Sequence, residues 1–278
     1  MRVVKNRIGL HIRLVDTLTH VIKKAIDLEI PFFQTFFMLP TGKHIKPTNA
    51  DINEFLKLRR KYFNNLYVHG SYSINLCGPV NFAHKVLNFE IEMAKKLEFT
   101  HLVLHPGAHT TENTKLEGIE FLAKSLNNVL KKEKSVNIIL ENTAHGKRAI
   151  GSDIQDFGIL KEKLEYPEKI SFCIDTAHAY SFGYDLVSFE EQSKFIQLIN
   201  NILGINNISL IHLNDTLELL GSKIDTHYIP GKGNIGKETL KNFIENKNFV
   251  NVPIIAELPN LSETEEKQAL SEIKNWLL

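Results

Sequence analysis

Eight short apolar segments alternate with eight longer amphipathic segments along the chain. The apolar segments are nearly continuous, which is typical of parallel strands whose outer face is covered by helices. The predicted strands read RIGLHI, FFQTFF, LYVHG, HLVLHP, VNIILENT, ISFCIDT, ISLIHLND and VPIIAELP. The predicted helices cover residues 16–29, 49–63, 79–97, 113–133, 152–164, 188–202, 236–246 and 262–277. Ser188 and Ser262, each followed by acidic residues, mark two helix starts.

Eight β–α alternations predict an α/β protein with a (β/α)8 barrel, the TIM barrel. No linker rich in proline, glycine or serine divides the chain, and about 250 residues is an ordinary size for one such barrel. We therefore expect a single domain over residues 1–278. A doubly wound sheet is the alternative fold, and it would bring fewer strand-end side chains to one side.

Six predicted strands end in a residue type that binds metals. Because the carboxyl ends of barrel strands share one face, these six side chains would converge on one mouth of the barrel. A buried carboxylate or imidazole at the end of an apolar strand is costly unless it is paired or bound to a metal. The pattern therefore predicts a metal site formed by His69, His105, Glu141, Asp175, His212 and Glu257.

Three further candidate ligands lie just beyond these strand ends. His178 follows Asp175 by three residues, and Asp225 and His227 stand at i and i+2 in a glycine-containing loop, so that in an extended segment they face the same way. The nine residues are five His, two Asp and two Glu. Nitrogen and oxygen ligands point to zinc or manganese, and nine of them imply two or three ions with a bridging carboxylate.

Composition narrows the class of protein. The net charge is +1, so affinity for nucleic acid would have to come from a local basic surface or from metal ions. The chain has no run of about 18 apolar residues and its N-terminus is charged, so we expect an intracellular protein without membrane association. Cys77 and Cys173 form no CxxC pattern, which argues against a disulfide scaffold or a zinc ribbon.

Six motifs occur in one order between residues 69 and 236: HGSYSINL, HPGAH, ENTA, CIDTAHA, HLND and DTHYIPGKGNIG. In these motifs the chain resembles the endonuclease IV family of apurinic/apyrimidinic (AP) endonucleases. The resemblance implies three zinc ions per chain, with Mn2+ as an alternative at one site. The first zinc would be held by His69 and His105, with Glu141 bridging it to the second. The second would also take Asp175, His212 and Glu257, and the third would take His178, Asp225 and His227.

The resemblance also implies a reaction and a partner. The reaction is hydrolysis of the phosphodiester 5′ to an abasic sugar, leaving a 3′-hydroxyl and a 5′-deoxyribose phosphate, with Glu141 and Glu257 as the catalytic carboxylates. The partner is double-stranded DNA with abasic sites, bound by a monomer. The expected DNA contacts are Lys43, Tyr72, Lys147, Arg148 and Lys232.

The residues that would insert into DNA depart from the family pattern. Ser73 stands where the family often has an apolar wedge, and the loop after the second strand also departs from the family pattern. That loop offers Phe37, Met38 and Leu39 as apolar candidates.

Two other functions stay open. A sugar isomerase or epimerase of the xylose isomerase-like barrels typically uses fewer ligands and a pocket lysine, and no strand here ends in lysine. A non-catalytic DNA-binding barrel is the other. The many Asn, Ile and Lys residues indicate an AT-rich genome, so we expect either a cytoplasmic, nucleoid-associated bacterial protein or a viral protein of the host cell or virion.

Overall fold

Eight parallel strands close into a barrel in their order along the chain. The computed structural model describes residues 7–39, 41–79, 82–144 and 146–277. The first strand closes the barrel by pairing with the eighth, Ile8 opposite Ile254. The strands are β1 (Ile8–His11), β2 (Phe33–Phe36), β3 (Tyr67–His69), β4 (His101–Leu104), β5 (Asn137–Glu141), β6 (Ile170–Asp175), β7 (Ile208–His212) and β8 (Ile254–Ala256). The (β/α)8 prediction is confirmed.

Helices follow the strands and cover the outside of the barrel. Within the described ranges they are α1 (Leu18–Asp27), α2 (Asn49–Tyr62), α3 (Phe82–Lys96), α4 (Lys115–Leu130), α5 (Gln155–Lys163), α6 (Thr176–Phe182), α7 (Phe189–Ile202), α8 (Lys237–Glu245) and α9 (Glu263–Asn275). Ser188 caps α7, and Ser262 forms a capping box at α9, as predicted. None of these helices combines the length and the apolar composition needed to cross a bilayer.

The sequence prediction missed helix α6, which starts directly after β6. Its first turn is capped by Asp175, whose Oδ1 accepts a hydrogen bond of 2.8 Å from the backbone N–H of His178. Nearly every residue of α6 is buried, from Thr176 to Ser181. A short helix buried on all sides has no amphipathic period, so hydrophobic patterning does not reveal it.

The barrel interior has two layers that decide where the site lies. The lower layer is an apolar cluster, separate from the main core under the helices, made of Phe32, Tyr67, Val103, Ile139, Cys173, Leu210 and Ile255. Strand side chains alternate with a period of two, so the residues two positions further on point the same way, one layer nearer the mouth. That upper layer consists of Gln34, His69, His105, Glu141, Asp175, His212 and Glu257.

Candidate metal centre

The upper layer collects all six predicted strand-end ligands. Four of them, His69, Glu141, Asp175 and His212, are at most 2% exposed. The other two, His105 and Glu257, are the first residues after β4 and β8 and are partly buried. The apolar layer below closes the barrel, so these polar groups are open only toward the mouth.

Glu141 lies at the centre of the cluster, and its two carboxylate oxygens face different histidines. Oε2 lies 3.1 Å from Nε2 of His69 and 3.2 Å from Nε2 of His105. Oε1 lies 2.8 Å from Nδ1 of His212 and 3.4 Å from Nδ1 of His178. A carboxylate whose two oxygens face different histidines would be able to bridge two metal ions.

The ligand atoms fall into overlapping sets, each within 4.8 Å. We call His69, His105 and Glu141 the first set, and Glu141, Asp175, His212 and Glu257 the second set. Glu141 belongs to both, as the ligand assignment from the family resemblance requires. Cys173, in the layer below, forms a further group with Glu141 and His212. Burial raises the pKa of its thiol to about 12, which favours the neutral form that is a poor metal ligand.

The third set contains His178, Asp225 and His227. Asp225 Oδ1 lies 3.0 Å from His178 Nε2 and 3.4 Å from His227 Nε2. The two histidine Nε2 atoms are 3.2 Å apart. Asp175 also reaches this set, because its Oδ2 lies 3.5 Å from His227 Nε2. The ligand atoms of Asp175, His178 and His227 lie within 4.8 Å of one another, so Asp175 borders both the second and the third set, which the sequence did not indicate.

The charges in the cluster suit divalent cations. Burial by itself would raise the pKa of Glu141, but His212 and further histidines hold it well below its usual range. Burial would lower the pKa of His178, but the carboxylates of Asp175 and Asp225 hold it well above its usual range. These pKa shifts favour the ionised carboxylate of Glu141 and the protonated ring of His178. A cation that binds there replaces the proton, so metal binding and proton release are coupled.

Hydrogen bonds to backbone carbonyls orient two of the histidine rings. His69 Nδ1 donates to the carbonyl oxygen of Gly70 at 2.8 Å, and His178 Nδ1 donates to that of Asn142 at 2.8 Å. A carbonyl oxygen only accepts, so each Nδ1 carries a hydrogen. The Nε2 atoms of both rings are then the ones directed at the metal cluster.

Gln34 is a functional position that the sequence reasoning missed. Its Nε2 donates to Glu257 Oε1 at 2.7 Å, and its Oε1 accepts from His212 Nε2 at 3.0 Å. The amide thereby orients His212 Nδ1 toward Glu141 and Glu257 Oε2 toward His227. His11 Nδ1 lies 2.9 Å from the same Gln34 Nε2. One signal existed in the sequence: a polar residue two positions after Phe32, in phase with the barrel interior.

Tyr72 stands at the mouth between two cavities. Its ring centroid lies 5.9 Å from that of His69 and 5.8 Å from that of His105, and the residue is 61% exposed. A cavity of about 580 Å3 reaches from Tyr72 to Asp225 and Glu257. A second cavity of about 330 Å3 lies on the side of His105 and Thr143. The side chain is thus placed beside the candidate metal site and in contact with solvent.

The predicted basic contacts are exposed but differ in position. Lys43 lies in a turn after β2, and Lys147 and Arg148 follow β5 on the same side of the barrel as the cluster. Lys232 reaches away toward α9, where its Nζ lies 3.2 Å from Glu272 Oε2. Lys43, Lys147 and Arg148 are thus exposed on the mouth side of the barrel, whereas Lys232 has an acidic neighbour.

One apolar candidate for insertion into DNA is excluded. Phe37 is fully buried and packs edge-on against Phe99, so the prediction that Phe37 could insert is wrong. Its backbone carbonyl accepts from Ile45, which folds the loop back and turns the side chain into the core. Met38 and Leu39, the next two residues, are partly exposed.

A closed eight-stranded barrel with nitrogen and oxygen ligands at its carboxyl mouth is typical of metal-dependent enzymes with a xylose isomerase-like TIM barrel. The model of the family described as "Xylose isomerase-like TIM barrel" matches residues 22–278. The chain is 32% identical over 279 residues to "Probable endonuclease 4" of Thermosipho melanesiensis, with 98% of each chain covered. Endonuclease IV from Thermus thermophilus superposes with a TM-score of 0.84 at 25% identity, also with 98% of each chain covered. The chain belongs to the endonuclease IV family.

A relative that carries a different name supports the same family. The chain is 32% identical over 225 residues to "Apurinic-apyrimidinic endonuclease 1" of Plasmodium falciparum, an alignment that covers 78% of this chain and 38% of that protein. The prediction of a DNA repair enzyme of the AP endonuclease class is confirmed. The family is metal-dependent, and the three ligand sets are the candidate positions for the metal in this chain.

Proposed function

We propose that this protein is a zinc enzyme that hydrolyses the phosphodiester 5′ to an abasic site in double-stranded DNA. The products would be a 3′-hydroxyl and a 5′-deoxyribose phosphate. The observation that carries the proposal is that Glu141 belongs to both the first and the second ligand set. Asp175 in turn belongs to the second set and lies 3.5 Å from His227 of the third set. Closely spaced divalent ions suit phosphoryl transfer, because the charge that develops on several oxygens needs several partners.

The residues of the three sets fit divalent ions that accept both nitrogen and oxygen ligands. The first set offers two imidazoles and a carboxylate, the second offers one imidazole and three carboxylates, and the third offers two imidazoles and Asp225. When bound, the ions would activate water for attack at phosphorus and neutralise the phosphate and the departing 3′ oxygen. Zinc accepts mixed nitrogen and oxygen ligands, and manganese is the alternative at the carboxylate-rich second set.

Glu257 has the best position for handling the proton of the attacking water. Its side chain is 13% exposed and lines the cavity of about 580 Å3. Its Oε1 is held by Gln34, and Asn214 donates to Oε2 at 3.1 Å. Although burial would raise the pKa of Glu257, His212 and the hydrogen bond with His11 keep it well below its usual range. The carboxylate therefore stays ionised and able to orient water.

The proposed DNA surface surrounds this cavity. Tyr72 would stack or insert beside the abasic sugar, and Lys43, Lys147 and Arg148 would contact phosphates. Flipping out an abasic nucleotide is cheap because no base is left to unstack. With Ser73 exposed beside Tyr72, the aromatic ring would provide most of the apolar contact at this loop.

An incision assay tests the proposal. The substrate is a duplex oligonucleotide with one tetrahydrofuran site, and a polymerase then reports whether the 3′ end can be extended. We expect one cut 5′ to the site and full extension. Glu257→Gln should lower the rate by about a thousandfold, because it removes both a ligand charge and the water contact. Glu162→Gln, on the exposed face of α5, is the matched control and should leave the rate unchanged.

The competing functions predict different results in this assay. Conversion of a ketose without any incision would show a sugar isomerase or epimerase instead. If the unaltered protein and both variants bind the duplex but none of them cuts it, the protein is a non-catalytic DNA-binding barrel. Either result would overturn the proposed function.

Tyr72→Ala tests how the enzyme holds its substrate. We expect KM for the abasic duplex to rise about tenfold, since stacking on an aromatic side chain contributes about 1–3 kcal/mol. The number of metal ions per chain should not change. Tyr62→Ala is a suitable control, because Tyr62 is also exposed but ends α2 at the opposite side of the barrel. An unchanged KM would remove Tyr72 from the proposed DNA surface.

A further inference from the structure

The glycine-rich part of the loop after β7 wraps around a buried carboxylate, that of Asp215. Asp215 is 0% exposed. Its Oδ2 accepts from the backbone N–H groups of Gly231, Gly233 and Gly236 at 3.0, 3.0 and 3.1 Å. Its Oδ1 accepts from the backbone N–H groups of Ile235 and Thr216, both at 2.9 Å.

Converging backbone N–H groups of this kind form an anion-binding nest. In many proteins such a nest holds a phosphate or another bound anion. Here the position of the anion is taken by the protein's own side chain. Among the residues that the structure describes, no lysine, arginine or histidine forms an ion pair with Asp215. The negative charge is therefore balanced by N–H dipoles, which makes the carboxylate and the loop depend on each other.

The glycines of the segment are explained by this arrangement. Gly231 and Gly236 have φ of 81° and 80°, a conformation that other residues rarely adopt. At Gly233, a Cβ atom would lie 2.5 Å from Asp215 Oδ1 and 2.4 Å from the carbonyl oxygen of Thr216. The GKGNIG segment is thus shaped to approach Asp215 and needs no external phosphate to account for it.

The same residue fixes the segment that carries two metal ligands. The backbones of Asp215 and Tyr228 pair as an antiparallel bridge, with the Tyr228 N–H donating to the Asp215 carbonyl at 2.7 Å. Tyr228 directly follows His227, and Asp225 precedes it by three residues. At the other end, Lys223 donates from its N–H to the Ser181 carbonyl of α6 at 2.8 Å. Asp225 and His227 therefore lie between two fixed points.

We infer that Asp215 is a positioning residue that folds this loop before any metal binds. Its carboxylate acts as an internal anion around which residues 228–236 close, and closure presents Asp225 and His227 to His178. The third ligand set is then preorganised, so the ion that occupies it does not have to order the loop. The identity of that ion rests on the proposed function, whereas the folding of the loop does not.

Hydrogen–deuterium exchange on the metal-free, full-length protein measures directly whether the loop is folded before metal binds. We expect the amides of Gly231, Gly233, Ile235 and Gly236 to be protected without metal and to change little when zinc is added. Protection that develops only after zinc binds would mean that the metal orders the loop, and this would overturn the inference. Because the measurement uses the unaltered chain, it holds even where a variant fails to fold.

Asp215→Asn tests the carboxylate itself. An amide offers one accepting oxygen and turns its NH2 group toward backbone donors, so these loop amides should exchange about 100-fold faster. The count of tightly bound zinc should fall by one ion, that of the third set, while the first and second sets keep theirs. Unchanged exchange and an unchanged zinc count would overturn the inference.

Two further variants separate positioning from a general loss of stability. Gly233→Ala places a methyl group against Asp215 and Thr216 and should give the same selective loss with the carboxylate intact. Asp185→Asn is the matched control, because Asp185 Oδ1 also accepts from two backbone N–H groups, those of Val187 at 2.9 Å and Ser188 at 3.2 Å. It should keep all zinc and the loop protection. If Asp185→Asn loses the same ion, the effect is not specific to Asp215 and the inference fails.

If the unaltered protein does not cut abasic DNA, the proposed function is refuted, but the conclusion from hydrogen exchange about Asp215 and the loop still holds. Conversely, normal incision by a protein whose loop is unprotected without metal would refute the role of Asp215 alone. The two failures are thus distinguishable.

Discussion

Replacing Glu141 with glutamine is expected to lower kcat/KM for abasic-site incision by about a thousandfold or more, because in the proposed site its charge would bridge two ions and contribute several kcal/mol of stabilisation. Both carboxylate oxygens are engaged, Oε2 toward His69 and His105 and Oε1 toward His212. Glutamine keeps the shape but loses the charge and one acceptor oxygen. The NH2 group of glutamine would point at one of these histidine nitrogens, in the position that a cation would occupy.

Metal analysis accompanies the rate measurement. Glu141→Gln should retain fewer zinc ions than the unaltered chain, since two ligand sets lose a member at once. The matched control is Asp156→Asn, another buried carboxylate, which accepts from the Gly151 N–H at 3.0 Å and pairs with Lys115 at 2.7 Å. This control reports the cost of neutralising a buried acid away from the cluster. Full zinc content and near-normal rates in Glu141→Gln would contradict the bridging role.

Removing the metal with a chelator is expected to abolish incision and to destabilise the fold. The described cluster packs acidic and imidazole groups closely together, and bound cations would balance the negative charge of its carboxylates. A site saturated at about a thousand times its dissociation constant contributes about 4 kcal/mol to the free energy of unfolding, so Tm should fall clearly. Differential scanning calorimetry and the incision assay measure the two effects on the same sample.

Restoring activity with defined ions identifies the metal. Zinc should restore incision, and manganese should do so in part through the carboxylate-rich second set. Magnesium prefers six oxygen ligands and should restore little. Activity that survives complete metal removal, or that returns only with magnesium, would rule out the proposed zinc site.

Much of the fold and of the ligand set was predictable because the relevant information is local. Each strand is a short apolar run, and the metal-ligand residues that end six of the eight strands are visible without any contact information. The barrel places all carboxyl ends on one face, so the convergence of His69, His105 and Glu141 follows from the strand count alone. The spacing of Asp225 and His227 likewise predicted that they act together.

Other features could not be read from neighbours in the sequence. Gln34 meets Glu257 only because β1 closes the barrel against β8, so that β2 approaches the end of the chain. Helix α6 lacks an amphipathic period because it is buried on every side. Phe37 looked like an exposed loop residue, but the turn after β2 folds it into the core.

Strand periodicity and motif order are properties of the chain, and they were enough to predict the (β/α)8 architecture, the family and nine candidate ligands. How the candidate ligands group together depends on the folded barrel. The tertiary structure placed Glu141 between two sets and brought Asp175 to the border of the third, since those distances depend on barrel closure. It also showed that Asp215 fills the glycine-rich nest, because a carboxylate and its N–H donors become partners only when the loop folds back.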